Sequence, residues 1–192
     1  MEKSILNNNY SLILIGGSAG SLEVILQLLP VLPKHMRSTV AVILHRKNDE
    51  SLLTKILNAK TSLPVLEAED KCPILPGTVY VAPGDYHLLV EKNKSFSLDY
   101  SEKVNYSRPS IDITFETAAE AYGSQLAAFL LSGANADGAE GLLFVKKLGG
   151  LSVAQDVTEA SVEFMPSSAI RLGAVHKIMK LEEMKNWFAS LV

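Results

Sequence analysis

Three apolar runs constrain the fold of this chain more than any other feature: Leu12-Ile13-Leu14-Ile15, Val40-Ala41-Val42-Ile43-Leu44, and Leu126 to Leu131. Each is short, uninterrupted by polar residues and closed by small or polar ones. That is the pattern of a strand buried on both faces, and such strands belong to parallel sheets covered by helices. The segments between them carry helical spacing. Leu22, Ile25, Leu26 and Leu29 repeat on one face before Pro30 and Pro33 end the segment. A second helix is expected over Glu50 to Leu57, with Leu52, Leu53, Ile56 and Leu57 inward. Further helices are expected from Arg108-Pro109 to about Tyr122, with Pro109 at the entrance, then over Gly138–Leu148, Met165–Leu172 and Leu181–Leu191. Short strands are expected at Pro64–Leu66, Val79–Ala82, Leu151–Ala154 and Val175–Ile178. His87–Val90 and Ser95–Leu98 flank a polar tip and read as an antiparallel hairpin attached to the main sheet. The expected fold is α/β: a doubly wound three-layer α/β/α sandwich with a mostly parallel sheet and an antiparallel β-hairpin, forming one domain over residues 1–192.

The apolar runs also deliver chemistry. The first runs into Gly16-Gly17-Ser18-Ala19-Gly20-Ser21, the second ends at His45, and the third leads through Ser132-Gly133-Ala134-Asn135-Ala136 to Asp137. In an open parallel sheet, ligand sites form outside the carboxyl ends of the strands. A serine hydroxyl is a weak nucleophile unless a base lies within hydrogen-bond reach and a third group fixes that base. Ser18, His45 and Asp137 are therefore the candidate catalytic residues. Gly16, Gly17 and Gly20 let the backbone turn closely around Ser18. Amides at Ala19 and around Ala134 and Asn135 are candidate oxyanion donors, and Arg46 is a candidate contact for a negatively charged surface. The bland alternative makes Ser18 and Asp137 helix caps. Asp156, a second acid at a strand end, is the alternative third member. Arg108, Ser110 and Asp112 are expected to fix a loop near the site by hydrogen bonds, and His87 to be structural or on the site rim.

Composition narrows the partners. The net charge is −3, and no block of Lys and Arg with interleaved aromatics suggests nucleic acid. Cys72 is the only cysteine, which excludes an internal disulfide. No His, Cys or carboxylate cluster has metal-ligand spacing, and neither a metal nor a cofactor is expected. The glycine loop lacks the G-x-G-x-x-G spacing of a dinucleotide site, and His45-Arg46 stands where the ribose-binding acid would be. Met1–Tyr10 is polar, and no apolar stretch is long enough to span a bilayer, so a soluble cytoplasmic protein is expected.

Several segments, in order, resemble the catalytic domain of the chemotaxis protein-glutamate methylesterases (CheB-type). Gly16 to Ser21 resembles G-A-S-T-G-G; Gly77 to Leu88 is similar to G-x-V-Y-[IV]-A-P-G-D-x-H-L. Arg108-Pro109-Ser110-Ile111-Asp112 resembles R-P-S-[IV]-D, Leu131 to Gly141 resembles L-T-G-M-G-x-D-G-A-x-G, and Ala154-Gln155-Asp156 with Met165-Pro166 resembles A-Q-D…M-P. The resemblance implies a triad of Ser18 as nucleophile, His45 as base and Asp137 as orienting acid. It implies hydrolysis of glutamate γ-methyl esters on the cytoplasmic helices of methylated chemoreceptors, with glutamine deamidation as a second activity. The family's best-known members also carry an N-terminal receiver domain that is not read in this sequence, which leaves a separate response regulator or scaffold as a candidate partner. Ala19 departs from a Thr, Ser21 from a Gly, and Ala134-Asn135 from Met-Gly. These departures motivate an alternative: a catalytically weak or inactive interaction module of the same fold.

Overall fold

The computed structural model describes residues 10–45 and 52–192. Seven strands form one parallel sheet in the order β3-β4-β2-β1-β7-β8-β9. They are β1 (Leu12–Gly17), β2 (Thr39–Leu44), β3 (Val65–Glu67), β4 (Val79–Val81), β7 (Leu126–Leu130), β8 (Leu151–Gln155) and β9 (Lys177–Met179). The chain starts in the middle of the sheet at β1 and builds outward through β2. It then returns to the other side of β1 with β7. The reversal of strand order therefore falls at β1 and β7, where an open α/β sheet leaves a crevice.

Successive side chains on a strand face opposite ways, and the central strands divide accordingly. Ile13, Ile15, Val40, Val42 and Phe129 enter one apolar layer with α1 (Ser21–Leu28), α2 (Leu52–Asn58) and α6 (Leu181–Ala189). Leu12, Leu14, Ala41, Ile43, Ala128 and Leu130 enter the other, with α3 (Ile111–Tyr122), α4 (Ala139–Lys147) and α5 (Phe164–Arg171). This is the expected three-layer α/β/α sandwich. Burial on both faces explains why β1, β2 and β7 read as unbroken apolar runs.

Three local expectations change. First, the hairpin β5 (His87–Val90) and β6 (Phe96–Asp99) forms its own two-stranded sheet instead of extending the main one. Two threonines of α3 serve its edge: the Thr114 hydroxyl donates to Leu88 O at 2.7 Å, and Val90 N–H donates to the Thr117 hydroxyl at 3.1 Å. With Leu88, Val90 and Phe96 buried toward α3, the hairpin packs as a lid on that layer. Second, Leu52 is exposed, because it opens α2; Leu57 is the fully buried residue of that helix. Glu50 and Ser51 lie outside the described residues. Third, Pro109 stands ahead of α3, and Ser110 is the N-cap. The Arg108–Pro109 bond is cis.

Helices α3 and α4 meet closely at Gly141. A methyl group there would lie 2.8 Å from Asp112 O and 2.9 Å from Asp112 Cα, both backbone atoms of α3 that cannot rotate away. Gly141→Ala is expected to destabilise the protein by about 1–3 kcal/mol, the usual cost of overpacking a tight contact. Urea-unfolding midpoints check this; an unchanged midpoint would mean that the two helices separate freely.

Candidate active site

The parallel register fixes where the three candidate residues stand. Gly17 pairs with Leu44, and Gly16 pairs with Leu130. Ser18 and His45 are therefore the first residues beyond adjacent strand ends, tied by His45 N–H to Gly17 O at 3.2 Å. On the other side of β1, Ser18 N–H donates to Ser132 O at 2.9 Å. All three loops leave the same edge of the sheet.

Asp137 is fully buried, yet it is not the cap of the helix that follows it. Gly138 caps α4, with φ of 94°. The Asp137 carboxylate reaches instead to the N-terminus of α3. Its Oδ2 accepts Ile111 N–H at 2.7 Å; its Oδ1 accepts Asp112 N–H at 3.2 Å and the Ser110 hydroxyl at 2.9 Å. The Asn105 amide adds a longer bond at 3.4 Å. His45 Nε2 completes the set, 2.6 Å from Oδ2. Burial pushes the Asp137 carboxyl up. The His45 hydrogen bond and charge, with the Ile111 and Asp112 N–H groups, outweigh burial and hold it below the usual carboxylate range.

Asp112 reciprocates. From the first turn of α3 its Oδ1 accepts the N–H groups of Gly138 and Gly141, at 2.9 and 2.7 Å, at the start of α4. Each acid thus occupies the positive end of the other's neighbouring helix. Asn105 Nδ2 bridges the pair, 2.9 Å from Asp112 Oδ2. Here burial dominates. Burial and the adjacent Asp137 charge push the Asp112 carboxyl up to about 7, against the lowering effect of the two backbone donors.

With Nε2 committed to Asp137, Nδ1 is the imidazole nitrogen that faces away from the carboxylate. Its partner is the Ser107 hydroxyl, at 3.3 Å. Among the described residues, the Ser18 hydroxyl has no hydrogen-bond partner; Ser18 is half-buried and Ala19 exposed. Ser18 is not a helix cap either, since Gly20 takes that position in α1 with no side-chain cap. Ser21 and Ser132 hold its loop. The Ser21 hydroxyl donates to Ser18 O at 2.6 Å, and the Ser132 hydroxyl donates to Ala19 O at 2.6 Å. The amides of Ala19 and Ala134 have no acceptor among the described residues.

The remaining candidates separate. Asp156 spends its carboxylate on Thr158, accepting N–H at 2.8 Å and the hydroxyl at 2.7 Å, so it does not serve His45. His87 is fully buried and ties the loop to the hairpin, with Nε2 on Glu102 O at 2.9 Å and Nδ1 accepting Ser110 N–H at 3.1 Å. Asn135 is half-buried; its Oδ1 accepts Asp137 N–H at 3.2 Å. Arg46 lies outside the described residues. Asn105, Ser107 and Ser132 were not singled out by sequence reasoning. The first two stand in an aperiodic loop; Ser132 has only its position one residue beyond an apolar run to signal it. Among the described residues, no three His, Cys, Asp or Glu side chains group to hold a metal ion, and no helix is long and apolar enough to cross a membrane.

The likeness to known proteins extends over the same elements. A family model described as CheB methylesterase matches residues 13–188. A Leptospira interrogans protein, provisionally named protein-glutamate methylesterase/protein-glutamine glutaminase, is 44% identical over 188 residues, covering 95% of each chain. A Shewanella protein named protein-glutamate methylesterase/protein-glutamine glutaminase 2 is 37% identical over 200 residues, which is 99% of this chain but 57% of that one. The crystal structure of the Thermotoga maritima CheB methylesterase catalytic domain matches with a TM-score of 0.89 at 34% identity, covering 95% of this chain and 99% of that one.

The two buried acids give opposite pH dependences. Asp137, depressed, contributes stability that is present above the ordinary carboxylate range and lost as pH falls through its lowered value. Asp112, raised to about 7, contributes stability that is complete below its ordinary 3.8 and lost as pH rises through about 7. Asp112→Asn keeps an oxygen for Gly138 and Gly141 but cannot ionise. The fall in urea midpoint from about pH 5 to about pH 8 is expected to shrink in this variant relative to the natural protein. An equal fall in both would mean that Asp112 does not titrate there.

Proposed function

The chain belongs to the CheB methylesterase family, and we propose that it hydrolyses glutamate γ-methyl esters on methylated chemoreceptor-type proteins in the cytoplasm. The observation that carries this reading is the 2.6 Å contact between His45 Nε2 and buried Asp137, formed beside Ser18 on one sheet edge. In this mechanism Ser18 Oγ attacks the γ-carbonyl carbon, and its proton passes to His45 Nδ1. The bond to methoxy oxygen breaks, and that oxygen takes the proton from Nδ1 and leaves as methanol. Water then attacks the acyl-enzyme and gives a proton to Nδ1. The bond to Ser18 Oγ breaks, the proton returns from Nδ1 to Ser18, and the glutamic acid side chain is released and gives its remaining proton to water, leaving the carboxylate. Asp137 stabilises the imidazolium throughout without taking the proton. An amide donor in place of the ester would release ammonia by the same steps, which is the deamidase activity.

The negative charge that develops on the carbonyl oxygen needs donors already in place. The amides of Ala19 and Ala134, without an acceptor among the described residues, support that role, as does the N-terminus of α1, which no described side chain caps. This argument also selects between two serines. Ser107 contacts His45, but it is buried, and the nearby N–H groups at the start of α3 are engaged by Asp137 and Ser110. At Ser107 the nearby donor is the Asn135 side-chain amide, 3.3 Å from the hydroxyl, whereas the Ser18 loop offers the amides of Ala19 and Ala134 and the start of α1. The intact His45–Asp137 pair likewise favours hydrolase over interaction module.

Ser18→Ala is expected to reduce methanol release from methylated receptor by at least about 10³-fold while leaving the urea midpoint unchanged. Full release by the alanine variant would remove Ser18 from this role. Comparison with methyl esters on unrelated proteins tests the receptor as substrate: equal rates would mean that the site does not select it.

A further inference from the structure

A neutral imidazole has one acceptor lone pair once its other nitrogen carries the proton. In His45 that proton is on the Asp137 side, so Nδ1 offers a single in-plane acceptor, and the Ser107 hydroxyl faces it at 3.3 Å. Ser18 and Ser107 cannot both donate to it. The surrounding contacts favour Ser107. Asn135 Nδ2 approaches both Ser107 Oγ, at 3.3 Å, and Asn105 O, at 3.4 Å. The first contact occupies a lone pair of the hydroxyl. The second reaches the carbonyl oxygen that is the other acceptor within range of the Ser107 hydroxyl, also 3.3 Å away. The Ser107 proton therefore has two acceptors at equal distance, Nδ1 and Asn105 O, and the hydroxyl closes Nδ1 to Ser18 when it points to the ring. The backbone is shaped to this end: Asn105 and Tyr106 are consecutive left-handed residues, with φ of 50° and 60°, uncommon for residues other than glycine. They turn the Asn105 amide inward onto Asp112 and Asp137, put Tyr106 at 97% exposure, and return Ser107 to the imidazole. Local strain of this kind is sustained only where the surroundings hold it.

We propose that Ser107 is a positioning residue that gates the base: its hydroxyl, held by Asn135, occupies the His45 nitrogen that must take the Ser18 proton, and catalysis requires that contact to open. The proposal rests on Ser18 as nucleophile and adds to it a reason why the Ser18 hydroxyl has no hydrogen-bond partner among the described residues. Displacement of the 105–107 segment, or rotation of the Ser107 hydroxyl to Asn105 O, frees Nδ1 without disturbing the bond to Asp137.

The test uses a fluorophosphonate probe on the whole chain, with the labelled serine identified by mass spectrometry. In the labelling step the Ser18 Oγ–P bond forms, the P–F bond breaks, fluoride leaves, and the Ser18 proton passes to His45. Ser107→Ala is expected to label at Ser18 about two- to tenfold faster than the natural protein, the range set by the net worth of one neutral hydrogen bond. Ser107→Thr, which keeps the hydroxyl, is expected to stay slow, and Ser107→Val, equal in shape to Thr but without the hydroxyl, to be fast. The Val–Thr pair decides the matter where the alanine variant does not fold. Acceleration is not the signature of a merely structural residue, whose loss slows the reaction. Equal or slower labelling of Ser18 in the Ala and Val variants would overturn the gate and leave Ser18 as nucleophile. Labelling on Ser107 in the natural protein, or none in any variant, would overturn the nucleophile assignment itself.

Discussion

The site is organised by one buried negative charge. Taking a carboxylate out of water is costly unless hydrogen bonds and opposite charge replace the solvent. Asp137 receives donors from His45, Asn105, Ser110, Ile111 and Asp112 and lies at the positive end of α3. Those donors come from the loop after β2, the loop ahead of α3 and α3 itself, while the carboxylate comes from the loop after β7. Satisfying the charge therefore brings separate parts of the chain together. The same bonds orient the imidazole. Stability and the geometry of the candidate site depend here on one group, and they share the sensitivity of that group to protonation.

Asp112 shows the cost of the arrangement. A second acid is held close to the first because α4 also needs its N-terminal amides met, and Gly138 and Gly141 supply them. Two buried carboxylates bridged by one Asn105 amide repel each other, and the strain appears on Asp112, not on Asp137. The difference follows from partners: Asp137 has the imidazole, and Asp112 has only neutral donors. The close passage of α4 at Gly141 keeps this geometry rigid.

Much of this was legible in the sequence for a physical reason. Strands buried on both faces leave unbroken apolar runs, so β1, β2 and β7 could be read directly, and with them the positions of Ser18, His45 and Asp137 at their ends. The hairpin was legible as a hairpin but not as a separate sheet, because its attachment depends on Thr114 and Thr117 of a helix far along the chain. His45 was expected as the partner of Asp137, but its second set of contacts was hidden for the same reason. Nothing local to an acid ahead of α4 indicates that it also accepts the first N–H groups of α3. Asn105 and Ser107 were invisible: their roles arise from left-handed backbone in an aperiodic loop, which leaves no spacing to count.

The central claim is that Asp137 fixes the His45 ring so that Nδ1 is the base. Nitrogen-15 NMR of the His45 side chain at a pH where the ring is neutral tests it most directly, because the two ring nitrogens differ in shift according to which one carries the proton. The account predicts a proton on Nε2 and a bare Nδ1. A proton found on Nδ1 would contradict it, since Asp137 would then face an unprotonated nitrogen and the ring would be held by something else.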